Sequence, residues 1–367
     1  MGGRAKGAER TERAEREGPP LTAQVHAELA AGGFRSGAEL ARKLGVSRNA
    51  VWKAVRVLRE LGLSVHAVPH RGYRLPVPCE PLEPAAIRAA LAAPARRRIH
   101  RLEVVWSVES TNAVLLARGD LPPELADILI AEYQTAGRGR LGRTWHAPPG
   151  GSICLSIGWS FPELPPDLAA LGLAVGVCAL RAVRAHIPNG RLALKWPNDL
   201  IFDDRKLGGI LVEMRAESAG PTYVVVGLGL NFALGAKLLE QVAATGTRAA
   251  DLASAGADPR QRNALAAALA GEVVEGLARF RHEGLGPFLE EWRAADSLCG
   301  RAVTVRTAQT SQTSWQGIGR GIDASGALLV ETAAGIQKVL SGDISVRAAD
   351  GGMPAPRGRV GLTSNAS

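Results

Sequence analysis

Gln134-Thr135-Ala136-Gly137-Arg138-Gly139-Arg140-Leu141-Gly142-Arg143-Thr144-Trp145 is the stretch on which the reading of this chain turns. It follows Asp127-Ile128-Leu129-Ile130-Ala131, an apolar run that predicts a buried strand. Glycine lets a loop bring backbone N–H groups close to an anion. Arginine adds a charged fork that grips phosphate or carboxylate through two hydrogen bonds. A loop with both suits a small, densely negative ligand. The glycine spacing also matches the dinucleotide fingerprint, but that pattern needs a helix straight after its glycines. Here Thr144-Trp145-His146-Ala147-Pro148-Pro149-Gly150-Gly151 follows, which cannot start a helix. No Gly-Lys-Ser/Thr follows, so the stretch is not a P-loop. A solvated basic loop without a role is the bland alternative.

The rest of the chain narrows the choice. Its 367 residues are too many for one ordinary domain, and 46% hydrophobic content supports sizeable cores. A net charge of +9 suits an acidic partner such as a nucleotide, nucleic acid or acidic protein surface. Cys79, Cys154, Cys178 and Cys299 are scattered, with no CxxC pair, so neither a zinc site nor a disulfide framework is expected and a reducing cytoplasm fits. The Arg/Glu-rich start has no apolar core of a signal peptide. The longest apolar stretch, Leu168–Ala185, is broken by Gly172, Gly176, Arg181 and Arg184, so no membrane partner is expected.

Residues 20–76 predict a compact DNA-binding unit. Ser36 caps a short helix through Leu44, Gly45-Val46 turns, and Ser47 caps a second helix over Arg48–Leu61. Val65–Leu75 alternates about a turn, which predicts a hairpin wing. The second helix carries Arg48, Asn49, Trp52, Lys53, Arg56 and Arg59 on or near its outer face, suited to phosphates and base edges. Arg48, Asn49, Lys53 and Arg71 are the candidate DNA contacts. The unit resembles a winged helix of bacterial regulators; a protein-docking module with a solvated basic face is the alternative. Pro76–Pro84 reads as a proline-rich linker.

Beyond it, strand Val104–Val108 leads through Ser110-Thr111-Asn112 into a helix; such residues are most often simply caps. Gly151–Trp159 alternates as a strand, and Leu168–His186 reads as a long apolar helix. Lys195-Trp196-Pro197-Asn198-Asp199 places a point charge and a hard oxygen ligand at a bend. Lys206-Leu207-Gly208-Gly209 and Gly227-Leu228-Gly229-Leu230-Asn231 interrupt strands with glycine, which weakens a strand unless something must approach closely. Helices are expected over Pro259–Arg281 and Leu285–Ala295. Four short strands between Ala302 and Leu340 then predict a small barrel.

Together these motifs resemble the bifunctional biotin protein ligases, the class that also acts as biotin-operon repressor, over residues ~20–347. The resemblance implies an α+β chain: a disordered tail at 1–19, a winged helix-turn-helix at 20–76, a mixed-sheet biotin/lipoate ligase-like catalytic domain at 84–295, an SH3-like β-barrel at 297–347 and a disordered tail at 349–367. It implies that biotin, ATP and Mg²⁺ are bound, and that biotinyl-5′-AMP is made and passed to a lysine of a biotin carboxyl carrier protein. Arg138, Arg140, Lys195 and Lys206 would be catalytic. Ser110, Thr111, Asn112, Gln134, Gly137, Arg138, Gly139, Arg140, Lys206, Gly208, Gly227 and Gly229 would bind biotin, the last three by clearing room for it. Arg143, Trp145, Lys195, Asn198 and Asn231 would serve ATP or the adenylate, and Asp199 the metal. The adenylate-bound chain would dimerise and bind an operator. An adenylate-sensing repressor without turnover, a lipoyl or octanoyl ligase, and a ligase whose winged helix has lost DNA binding stand as alternatives.

Overall fold

The computed structural model describes residues 19–119, 121–146, 148–165, 167–187, 189–215, 221–244, 247–307, 314–340 and 344–348. The expected tails at 1–19, apart from Pro19, and at 349–367 lie outside the described residues. Two compact units result: one takes the chain to Ser297 with Ala324–Gly326, the other takes the remainder.

The first unit opens with helices α1 (Leu21–Ala30), α2 (Gly37–Lys43) and α3 (Arg48–Glu60). Ser36 and Ser47 accept the N–H groups of Glu39 and Ala50, so both expected caps form. Gly45, at φ +66°, makes the turn between α2 and α3, a conformation that L side chains rarely adopt. Val51, Ala54, Val55 and Leu58 recur at helical spacing and bury one face of α3 against Val25, Leu29 and Leu40. Strands β1 (His66–Val68) and β2 (Gly72–Arg74) pair as the wing.

Helices α4 (Pro84–Ala90) and α5 (Ala93–Arg98) follow, and the sequence reading did not anticipate them. Strand β3 (Ile99–Val108), helix α6 (Thr111–Arg118) and strand β4 (Ala126–Gln134) make a parallel crossover. Next come β5 (Ser152–Phe161), α7 (Leu171–Arg184), β6 (Leu192–Lys195), β7 (Asp199–Phe202), β8 (Arg205–Arg215) and β9 (Thr222–Asn231). They complete a seven-stranded mixed sheet of order β3-β4-β5-β9-β8-β7-β6. Every residue of β5 is buried, as a central strand covered on both faces requires. Helices α8 (Ala236–Ala244), α9 (Arg262–Glu283) and α10 (Leu289–Ala294) end the unit, and α9 packs on α7, α4 and β5. The expected helix from Leu168 starts one turn later, because Leu168–Ala170 is a 3₁₀ turn.

The proline-rich segment does not hang free. Arg262, fully buried, donates to Glu80 O at 2.9 Å and to Ser152 O at 2.9 Å, and pairs with Glu132 at 2.8 Å. Glu132 accepts Leu82 N–H at 2.7 Å, and Asn263 donates to Pro81 O at 2.9 Å. A buried ion pair survives only if such extra hydrogen bonds satisfy its polar atoms. Burial opposes ionisation of Glu132, but the Arg262 guanidinium outweighs it and holds the carboxyl below its usual range. Beside this clasp, His26 of α1 is buried against the Trp106 ring at 5.4 Å, with Cys79 Sγ 3.6 Å from Nε2.

The second unit is a five-stranded antiparallel sheet, ordered β13-β12-β11-β10-β14. Its strands are β10 (Ala302–Thr307), β11 (Ser314–Ile322), β12 (Leu328–Thr332), β13 (Gly335–Val339) and β14 (Ile344–Ala348). The last was not anticipated. Val303, Val305, Leu328 and Val330 form its buried side.

Burial depresses the His26 pKa from its ordinary 6.5 to about 4. Between those values the unfolded chain binds a proton that the folded chain does not, so stability rises with pH across that window and falls as pH drops from 6.5 toward 4. Urea unfolding between pH 7 and pH 5 should show that loss, and a His26→Gln chain should show a shallower slope. An unchanged slope would contradict the assignment.

Candidate active site

The site is built on the face of the sheet where β5, β9 and β8 lie side by side. Cys154 pairs with Gly229, and Gly229 with Gly209; one pleat on, Ser156 pairs with Gly227, and Gly227 with Leu211. Side chains alternate faces along a strand, so these positions share one floor. The sequence reading had Gly208, Gly227 and Gly229 clear room for a ligand; in this structure the space beside each is lined by neighbouring protein groups. A β-carbon on Gly227 would lie 2.2 Å from Asn112 Oδ1, one on Gly229 2.4 Å from the Trp145 ring, and one on Gly208 2.9 Å from Gly229 O.

Above this floor stands the start of α6. Ser110 caps the helix, accepting Ala113 N–H at 3.4 Å. Thr111 N–H donates to Gln134 Oε1 at 2.8 Å, with Thr111 Oγ1 3.1 Å from the same oxygen. Asn112 Nδ2 donates to Glu213 Oε2 at 2.8 Å and to Leu211 O at 3.2 Å. Glu213 also pairs with Arg138 at 3.5 Å. Ser156 Oγ lies 2.6 Å from both Thr111 Oγ1 and Asn112 Oδ1. Neither Ser156 nor Glu213 was given a role from sequence. The only signals were one of three serines in a mostly apolar strand and a carboxylate at the end of a glycine motif.

The Gly/Arg stretch closes as a short hairpin. Gly139 N–H donates to Arg143 O at 2.7 Å, and Trp145 N–H to Gly137 O at 2.9 Å. A β-carbon on Gly137 would lie 2.5 Å from Trp145 O, so that return needs glycine. Leu141 takes a left-handed φ of 57° between Arg140 and Gly142. The Trp145 ring packs against the buried pair Ala131 and Cys154, as do Val105 and Val108. Burial pushes the Cys154 thiol up to about 12, which suits packing and not reactivity.

Lys206 Nζ donates to Asp199 Oδ1 at 2.6 Å and stands 5.9 Å from the centre of the Trp145 ring. Lys195 lies opposite Asp199 in the β6–β7 pair. Among the described residues, no group of three or more His, Cys, Asp or Glu could hold a metal ion. Asn198 and Asn231 are the two amides expected to serve the nucleotide. Asn198 Nδ2 donates to Ile210 O at 2.7 Å, and Asn231 Nδ2 to Ala250 O at 3.0 Å and Lys206 O at 3.4 Å. Both amides satisfy backbone carbonyls at strand ends, which buried backbone demands.

Arg48, Asn49 and Lys53 are exposed on α3, beside a Trp52 that is 50% exposed. Arg71, in the wing turn, stacks its guanidinium 4.2 Å over the Phe34 ring. Arg56 is paired with Glu60, and Arg59 donates to Val65 O at 2.6 Å.

Known proteins place the chain. The biotin/lipoate A/B protein ligase family matches residues 105–231, an HTH domain matches 22–74 and the biotin protein ligase C-terminal domain matches 298–347. A biotin protein ligase from Aquifex aeolicus, in complex with biotin and ATP, superposes with a TM-score of 0.54 at 26% identity, covering 68% of this chain and 100% of that one. The fold is thus that of the biotin protein ligases. A bifunctional ligase/repressor of Escherichia coli is 37% identical over 88% of this chain and 96% of its own length. A biotin–[acetyl-CoA-carboxylase] ligase of Mycobacterium tuberculosis is 36% identical over 66% of this chain and 88% of its own. The chain belongs to the bifunctional ligase/repressor family.

Gly227→Ala should cost roughly 1–3 kcal/mol of stability, because the new methyl meets Asn112. Adding Asn112→Ala should then cost less than it does in the parent, since the clash is gone. Urea unfolding of the four chains checks this; strictly additive effects would contradict it.

Proposed function

We propose that the chain joins biotin to ATP and passes the biotinyl group to a protein lysine. A biotin carboxylate oxygen bonds to the α-phosphorus as the bond to pyrophosphate breaks. The lysine amine of a biotin carboxyl carrier protein then attacks the mixed anhydride, loses a proton and expels AMP. The observation that carries the reading is the convergence of Thr111, Gln134, Lys206 and the Gly/Arg hairpin on one glycine floor, in a chain of the ligase/repressor family.

The roles follow from position. Ser110, Thr111 and Gln134 would hold the ureido ring of biotin. Lys206, steadied by Asp199, would meet the carboxylate or the adenylate linkage. Arg138, Arg140 and Lys195 would offset the repulsion between two anions and the charge on leaving pyrophosphate. Arg143 and Trp145 would close on the nucleotide. Mg²⁺ would arrive with ATP, and Asp199 would be the carboxylate that reaches it. One carboxylate suits an ion that keeps its waters and takes phosphate oxygens. It would supply neutralisation of phosphate charge.

Repression is the second half of the proposal. The exposed face of α3 and the wing would contact an operator, and an adenylate-bound homodimer would read a palindrome with its two recognition helices. A cytoplasmic location goes with it, supported by four scattered cysteines with no CxxC pair.

Labelling of a carrier domain by the purified chain tests the ligase, with lipoate as competitor: biotin should be transferred and lipoate should not compete. No transfer, or preferential lipoate transfer, would overturn it. Arg140→Gly should bind biotinyl-5′-AMP about 10-fold or more weaker with little change in unfolding midpoint. A variant that holds the adenylate as tightly as the parent would remove Arg140 from the site. Operator affinity, measured by fluorescence anisotropy, should fall steeply with salt, and Lys53→Ala should flatten that slope by roughly one unit.

A further inference from the structure

The distances around Asn112 fix where each proton lies. Asn112 Nδ2 has two hydrogens and two neighbours, Glu213 Oε2 at 2.8 Å and Leu211 O at 3.2 Å. A carboxylate and a carbonyl only accept, so the amide nitrogen must face them and Oδ1 must face Ser156. An amide oxygen cannot donate. The Ser156 hydroxyl, 2.6 Å away, therefore gives its single proton to Asn112 Oδ1. Thr111 Oγ1 is also 2.6 Å from Ser156 Oγ. Two hydroxyl oxygens at that distance need a proton between them, and Thr111 has the one still available. Thr111 thus donates to Ser156, and not to Gln134 Oε1 at 3.1 Å, which instead takes the Thr111 N–H at 2.8 Å. Ser156 is 0% exposed, and Thr111 and Asn112 are each 3% exposed, so bulk water does not rewire the chain.

The outcome is polarity. With its proton committed, Thr111 Oγ1 can offer a ligand only lone pairs. We infer that Ser156 is a specificity-determining positioning residue: it locks the Thr111 hydroxyl as an acceptor, so that the pocket takes a ring N–H and rejects a ring oxygen in its place. Glu213 supports this by fixing which way the Asn112 amide faces. The inference rests on the biotin reading of the pocket, since a cyclic urea presents N–H donors.

The test is calorimetric titration of the full chain with biotin and with the two cyclic carbamate analogues in which one ureido N–H is replaced by oxygen. The parent should prefer biotin over one analogue by roughly 100-fold or more, because that oxygen meets an acceptor. In Ser156→Ala the Thr111 hydroxyl can turn and donate, so the preference should fall about 10-fold or more while the KM for ATP holds. Ser156→Cys, of similar shape and with only a weak donor and acceptor, should fall in the same direction and serves if the alanine chain does not fold. A parent that binds no biotin refutes the ligand reading itself. A parent that discriminates, beside variants that keep the same discrimination or weaken all three ligands equally, overturns the role of Ser156.

Discussion

Asn112 sits where it does because residue 227 has no side chain. Its amide oxygen occupies the space a β-carbon would fill, 2.2 Å from that position. From that seat it joins α6 to β5 through Ser156 and to β8 through Leu211 and Glu213. Thr111 follows Asn112, and Gln134 follows Thr111. Buried amides and hydroxyls left without partners are costly, so the whole set holds or fails together. The Gly/Arg hairpin is tied in by the Arg138–Glu213 pair, although that pair is half exposed and contributes little stability of its own.

A second buried polar set lies two residues back along β4. Arg262 binds Glu132, Glu80 O and Ser152 O together, and so fastens the segment between winged helix and sheet to β4 and β5. Strand β4 therefore carries two anchors: Glu132 for this segment and, two residues on, Gln134 for the ligand pocket. His26, Trp106 and Cys79 pack beside the first of them. The helix-turn-helix meets the sheet where His26 packs on Trp106 of β3.

Local features were legible in the sequence. Ser36 and Ser47 were readable as caps because each satisfies an N–H three residues away. The wing and the Gly/Arg loop were legible for the same reason, since periodicity and turn chemistry act over short spans, whereas the mixed sheet came from the family resemblance. Ser156 and Glu213 were not, since their bonds to Asn112 span 44 and 101 residues. That Asn198 and Asn231 satisfy backbone carbonyls was not legible, because nothing local shows those carbonyls. The glycines were read correctly as sites of close approach, but not as seats for Asn112 and Trp145. The proline-rich segment looked free because its clasp, Arg262, lies 182 residues from Glu80.

The central claim is that this site brings a biotin carboxylate to the α-phosphorus of ATP. The most direct measurement is exchange of labelled pyrophosphate into ATP by the purified chain. The account predicts exchange that depends on biotin and is not supported by lipoate. Exchange without biotin, or none with it, would contradict the account.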